Sequence, residues 1–163
     1  MRGLLGGLGV LVLVSAVQAS EVKVPVGSLP KAVLAAVKAR FADAAVTGES
    51  KERDKGKSVF EVTLREKGRT VDVALSPQGS IQLIEREIGP TELPGPVTQA
   101  IDARYPKATR KMVEEVIKVE GKDEKLAFYE VLLVSADRKA VEVKVAPDGR
   151  ILGEERKAPS DHD

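Results

Sequence analysis

The chain has 163 residues, and its 26 Lys and Arg residues nearly balance its 25 Asp and Glu residues, giving a formal net charge of +1. A surface with so little net charge does not attract nucleic acid or an anionic membrane, so neither is expected as a partner. The chain has no cysteine, which excludes a disulfide framework and thiolate chemistry, so packing alone must stabilise the fold.

Residues 1–19 have the pattern of a secretory signal peptide. Arg2 supplies a positive charge, Leu4 to Val14 form a short apolar run, and small residues lead to Ala19. This order of segments is typical of a cleaved leader. A membrane anchor is the alternative, but the run is shorter than the roughly 20 residues that a spanning helix needs. We therefore expect cleavage after Ala19, a periplasmic or secreted protein, and no stable membrane insertion after cleavage.

Two short helices are predicted, each beginning at a Leu-Pro pair, because the fixed φ of proline suits the first turn of a helix. After each pair an apolar residue recurs at every fourth position, a spacing that forms one buried stripe on an amphipathic helix. The stripes consist of Val33, Val37 and Phe41 in the first helix and of Val97, Ile101 and Tyr105 in the second.

Beyond each helix the apolar residues recur at every second position, which is the period of strands that bury one face. Phe60, Val62 and Leu64 alternate with polar residues, and the Lys67-Gly68 pair that follows predicts a hairpin turn. The same pattern predicts strands near residues 44–51, 60–65, 71–75, 81–87, 111–120, 126–135, 139–146 and 150–156.

The two halves of the chain repeat one another, as three matched segments show. Leu29-Pro30 recurs as Leu93-Pro94, Phe60-Glu61-Val62 as Tyr129-Glu130-Val131, and Pro77-Gln78-Gly79 as Pro147-Asp148-Gly149. Such repetition predicts two copies of one structural unit. We therefore predict an α+β fold of two tandem modules, each with one helix packed on a roughly four-stranded antiparallel sheet.

The modules are expected to span residues 20–89 and 90–157, with Gly89-Pro90-Thr91 as the boundary between them. The polar residues 158–163 are expected to form a disordered tail. The pattern leaves open whether the two sheets join into one.

These motifs resemble the PepSY-like domains of bacterial envelope proteins, and the likeness extends over residues 24–157. The tandem arrangement is similar to the β-lactamase-inhibitor-like, PepSY-like group. The resemblance implies a tandem αββββ architecture, an extracytoplasmic location and a role in binding or inhibiting other proteins. The chain departs from the secreted β-lactamase inhibitory protein in lacking its disulfides and its aromatic-rich binding face.

The residues form no recognisable catalytic, cofactor-binding or metal site. His162 is the single histidine and lies in the polar tail, where no neighbours would hold it rigidly for a Ser-His-acid arrangement. The segment Asp161-His162-Asp163 is interpreted as a solvated terminus rather than as a metal site. We therefore predict a protein that is not an enzyme and has no cofactor.

Acidic residues also recur between the halves, at Glu61 and Glu130 and again at Glu85 and Glu155. A pair of carboxylates could do acid–base chemistry without histidine. These acids lie on the polar phase of the strands, among Lys and Arg residues. We interpret them as members of cross-strand ion pairs on an open sheet face.

One asymmetry between the halves marks a candidate partner-binding surface. Phe128, Leu132 and Val134 lie between the positions that would face the second helix, so they point to the opposite face, where the first half has polar residues. One interpretation is that the other module, the tail or a second subunit covers them. The other is an exposed apolar patch for a partner.

We predict an exported, non-enzymatic binding protein that contacts another protein or a peptide through this open sheet face, with Phe128, Leu132 and Val134 as the partner-binding residues. The alternative is a structural or accessory protein that forms a homodimer through the same apolar side chains.

Overall fold

A computed structural model of the chain describes residues 22–23, 29–54 and 57–157. The predicted signal peptide (residues 1–19) and the predicted disordered tail (residues 158–163) lie outside the described residues.

The two predicted helices are confirmed at their expected places. Helix α1 (Lys31–Arg40) and helix α2 (Gly95–Arg104) each follow the Leu-Pro pair directly. Each also ends in the same way, because the backbone N–H of the next residue donates to the carbonyl four residues back, Phe41 to Val37 and Tyr105 to Ile101, both over 2.8 Å. A single 3-10 turn (Pro90–Glu92) lies just before α2.

The strands form one antiparallel sheet in which each strand pairs with its neighbours in the chain, so the order is β1 to β9 without a crossover. The bounds are β1 Val22–Lys23, β2 Ala45–Asp54, β3 Lys57–Glu66, β4 Arg69–Leu75, β5 Ile81–Glu87, β6 Thr109–Glu120, β7 Asp123–Val134, β8 Ala140–Val145 and β9 Ile151–Lys157. Eight of these strands lie close to the positions that the alternating pattern predicts, and the two-residue β1 was not foreseen.

The predicted fold class is wrong. The described residues do not form two separate modules of one helix on four strands, because β5 pairs with β6 from Leu83↔Lys118 to Glu87↔Glu114 and so makes the sheet continuous. The fold is mostly β, with both helices on a single large sheet. Alternation tells which side chains face the core but not which strand edges pair. The edges of β5 and β6 that face each other carry backbone N–H and C=O groups, and these groups form hydrogen bonds between the two strands.

The apolar core lies on one face of this sheet, beneath the two helices. One cluster joins α1 to β3, β4 and Ile84 of β5, and a second joins α2 to β7, β8 and Val113 of β6. Ile117 of β6 packs against the first cluster, so β6 contributes to both. The module boundary at residues 89 and 90 stays a prediction.

Candidate binding face of the sheet

The second face of the sheet, which we call the open face, lies opposite α1 and α2, which both pack on the core face. Five of its side chains are successive register partners on β3 to β7: Thr63, Asp72, Glu85, Val116 and Phe128. Side chains of this alternate set point away from α1 and α2. The open face is therefore the surface on which the strands themselves can meet another molecule.

The predicted partner-binding residues Phe128, Leu132 and Val134 lie on the open face and are half-buried. Their chain neighbours Tyr129, Val131 and Leu133 are buried beneath α2, as expected from the alternation. The structure thus places the three side chains where the sequence analysis expects them. Their role in binding a partner stays a prediction.

The sequence analysis missed the partners of these side chains on the neighbouring strand. Met112 stands opposite Leu132, and Val116 stands opposite Phe128, and these two apolar pairs flank the Glu114–Glu130 pair between them. We call the four apolar residues (Met112, Val116, Phe128, Leu132) the apolar strip. Met112 is 40% exposed, whereas Val116 is fully buried. The alternation of Met112, Glu114 and Val116 was visible in the sequence, but the register that brings them beside β7 was not.

A row of carboxylates adjoins the apolar strip. Asp72 of β4 stands opposite Glu85 of β5. Glu114 of β6 stands opposite Glu87 of β5 on one side and Glu130 of β7 on the other, so it lies diagonal to Glu85. Cross-strand neighbours of this kind have Cβ atoms about 5 Å apart, and diagonal neighbours about 7–8 Å. We call Asp72, Glu85 and Glu114 the carboxylate row.

Burial raises the pKa of each member of the row, and repulsion from neighbouring carboxylates raises those of Glu85 and Glu114 further. The pKa of Glu114 rises to about 8 because burial disfavours its charged form and because the charges of Glu85 and Asp72 are close. The pKa of Glu85 rises to about 7 through burial and through the charges of Glu130 and Glu61. Burial also raises the pKa of Asp72, against a hydrogen bond from Thr63. The row is therefore only partly ionised near neutral pH.

Lysine residues neutralise the carboxylates beyond the row. Lys144 lies 3.1 Å from Glu130, its register partner, and its ammonium group also lies 5.4 Å from the centre of the Phe128 ring. Lys157 lies 2.9 Å from Glu142. Glu130 thus meets the expectation of a cross-strand ion pair, whereas Glu85 has no ion-pair partner among the described residues.

An open groove of about 410 Å³ gives access to one end of the carboxylate row. It is lined on the open face by Glu61, Ala74, Leu83, Glu85 and Lys118. The groove therefore joins acidic side chains to short apolar ones on β4 and β5.

The described ranges offer neither a metal site nor a membrane-spanning helix. No group of three or more His, Cys, Asp or Glu side chains is placed there to hold a metal ion. No described helix is long and apolar enough to cross a membrane. His162 and the segment Asp161-His162-Asp163 lie outside those ranges.

The fold is similar to solved structures of Bacteroides proteins. A Bacteroides eggerthii protein provisionally assigned to the periplasm superimposes with a TM-score of 0.67 at 16% identity, over 83% of this chain and 94% of its own. A DUF2874 family protein of Bacteroides uniformis gives 0.62 at 18% identity, over 78% and 88%. A BLIP-like protein of Bacteroides fragilis gives 0.59 at 18% identity, over 86% and 92%. No protein-family model and no curated protein matches the chain.

At sequence identities this low, the structural similarity shows that the proteins share a fold. The BLIP-like and DUF2874 structures fit the resemblance drawn from the sequence motifs, although no family model supports the PepSY assignment. The periplasmic description of the Bacteroides eggerthii protein agrees with the extracytoplasmic location that the sequence predicts.

Proposed function

We propose that this protein is an exported, non-enzymatic binding protein of the periplasm that contacts another polypeptide through the open face. The observation that carries the proposal is the apolar strip on β6 and β7, which neither helix covers. A large sheet face with apolar side chains between charged ones is typical of protein interaction surfaces.

The comparisons support two parts of this proposal. Similar structures include one provisionally assigned to the periplasm and one described as BLIP-like, and both superimpose on this chain over most of their length. A BLIP-like fold is a reasonable scaffold for binding proteins, and its strands rather than its loops would supply the surface.

Site-specific photo-crosslinking tests the proposal in an envelope extract. A photoreactive side chain at position 128 or 132 is expected to crosslink to a defined partner polypeptide. Phe128→Asp and Leu132→Asp should each reduce recovery of that partner by about tenfold, because a charge would replace a buried apolar contact. Leu152→Asp is the matched control, because Leu152 is 51% exposed and lies on the edge strand β9.

Equal recovery with all three variants would remove the open face as the binding surface. Circular dichroism of each variant would show that the fold is retained. Light scattering over a range of concentrations tests the alternative, a homodimer through the same apolar side chains. A strict monomer would rule out that dimer, and a dimer abolished by Leu132→Asp would replace the proposal.

A further inference from the structure

The open face contains a largely buried glutamate, Glu114, that forms no ion pair among the described residues. Glu114 is only 6% exposed, yet it has no hydrogen bond or ion pair with any residue that the structure describes. A buried acid is normally paired, because leaving it alone costs desolvation energy that nothing returns. Glu114 stands opposite Glu130 in the register and lies diagonal to Glu85, whose own partner is Val116.

The carboxylates around Glu114 leave a local excess of negative charge. The charged groups that face it are Glu85 and Glu87 of β5, Asp72 of β4, Glu130 of β7, and Glu142 and Lys144 of β8. Lys144 forms an ion pair with Glu130, and Lys157 forms one with Glu142. Glu87 accepts a hydrogen bond from the backbone N–H of Thr70 over 2.9 Å. Within the described part of the chain no lysine or arginine forms an ion pair with the carboxylate row, and the cation at its end is Lys118, which lines the groove beside Glu85.

The same face already accommodates one ammonium group in a similar setting. Lys144 lies between a carboxylate, Glu130, and an aromatic ring, Phe128. A carboxylate and a ring face both attract a cation, the ring through its quadrupole. A second cation beside β5 and β6 would meet the carboxylate row on one side and Val116 and Leu132 on the other.

We infer that the polypeptide bound by the open face places a lysine or arginine side chain over the carboxylate row, with an apolar neighbour against Leu132 and Phe128. This inference rests on the proposed function and names the chemistry of its partner. Charge complementarity is the argument, because a partner's cation would supply the ion pair that Glu114 lacks.

The inference predicts that binding depends on pH. Near neutral pH Glu114 is mostly protonated and Glu85 about half protonated, because burial and neighbouring carboxylates raise their pKa values to about 8 and about 7. An approaching cation favours their ionised forms, so binding releases protons and strengthens as the pH rises through this range. An exposed surface carboxylate would give no such dependence above about pH 6.

Three labelled peptides test the inference by fluorescence anisotropy with the purified protein. They share one sequence around a central Leu and differ only at two flanking positions, which are Lys, Gln or Glu. The Lys peptide should bind about tenfold more tightly than the Gln peptide at about pH 8.5, and this preference should fade towards about pH 6. Glu114→Gln and Glu85→Gln should each weaken binding of the Lys peptide by about tenfold.

Asp43→Asn is the matched control, since Asp43 is exposed in the turn between α1 and β2 and belongs to none of the strands of the open face. It should leave the affinity unchanged. Equal binding of the Lys and Gln peptides, unaffected by Glu114→Gln, would overturn the inference. In that case the crosslinking experiment still decides the proposed function separately. Competition by putrescine as strong as that of the Lys peptide would also overturn it, because the site would then recognise a small polyamine.

Discussion

Arg86 on β5 donates to Glu115 on β6 over 2.9 Å, and this ion pair crosses the line where the two helix-bearing halves of the sheet meet. The two side chains are only 28% and 26% exposed. They lie on the helix face, two residues along their own strands from Ile84 of the first core cluster and from Val113 of the second. The pair therefore reinforces the backbone pairing that makes one sheet of the two halves.

A double-mutant cycle measures what this ion pair contributes. Arg86→Met and Glu115→Gln should each destabilise the protein, and the coupling free energy should be about 0.5–1.5 kcal/mol, because partial burial limits solvent screening. Urea denaturation of the wild type, both single variants and the double variant provides the measurement. The pair of Arg104 and Glu154, which is more exposed, should couple less strongly in a parallel cycle. Equal couplings would contradict the importance of the junction.

A continuous sheet should also unfold as one unit. Leu64 is fully buried beneath α1, and truncation to alanine should cost about 2–5 kcal/mol. If β5 and β6 transmit this loss, amide protection in β7 and β8 should fall by a similar factor as protection in β3 and β4. Hydrogen exchange followed by mass spectrometry resolves the two regions. Leu133→Ala is the reciprocal variant, placed under α2. Protection that survives in the unmutated half would show two independent folding units.

Local structure followed from the sequence because local patterns specify it. Leu-Pro pairs and apolar residues at every fourth position predicted α1 and α2, and alternation predicted the inward set Phe60, Val62 and Leu64. The joining of the halves did not follow, because β5 and β6 are separated by α2 in the chain and no local pattern encodes their pairing.

The candidate face was predictable only in part for the same reason. Phe128, Leu132 and Val134 were assigned to the open face from the period of β7 alone. Met112 and Glu114 required the register between β6 and β7, which includes two irregular shifts. A shift of one residue moves a side chain to the other face, so the burial of Glu114 could not be derived from alternation.

Two turn glycines hold the strands against the helices. A Cβ atom on Gly149 would lie 2.7 Å from the carbonyl oxygen of Pro96, and one on Gly79 would lie 2.5 Å from that of Ala32. Both glycines also have positive φ. Gly68 has positive φ as well, but a Cβ atom added there would have no neighbour within 4 Å. These turns are the Pro-x-Gly segments that the repeat analysis matched, and each passes over the start of a helix.

Alanine substitutions at the three glycines distinguish the clash of a Cβ atom with the helix carbonyl from the strain of a positive φ. Gly68→Ala should cost about 1 kcal/mol, from the left-handed backbone alone. Gly79→Ala and Gly149→Ala should cost at least about 1 kcal/mol more, because the chain must also move away from the helix. Urea denaturation at one pH compares the three. The same cost at all three positions would show that the helix contact adds nothing.

The unpaired Glu114 should make the protein less stable in alkaline solution. The pKa of its carboxyl is about 8 in the folded state against an ordinary value of 4.5. Between these values the folded state binds more protons than the unfolded state, so the free energy of unfolding falls as the pH rises. Each pKa unit between the two states corresponds to at most about 1.4 kcal/mol.

Glu114→Gln removes this titration while it keeps the shape of the side chain. The variant should match the wild type near pH 5 and exceed its stability by a few kcal/mol near pH 9, with the difference developing between about pH 5 and pH 8. Urea denaturation across this range gives the measurement, and Asp43→Asn should leave the profile unchanged. A parallel offset at every pH would show that Glu114 is already ionised in the folded protein.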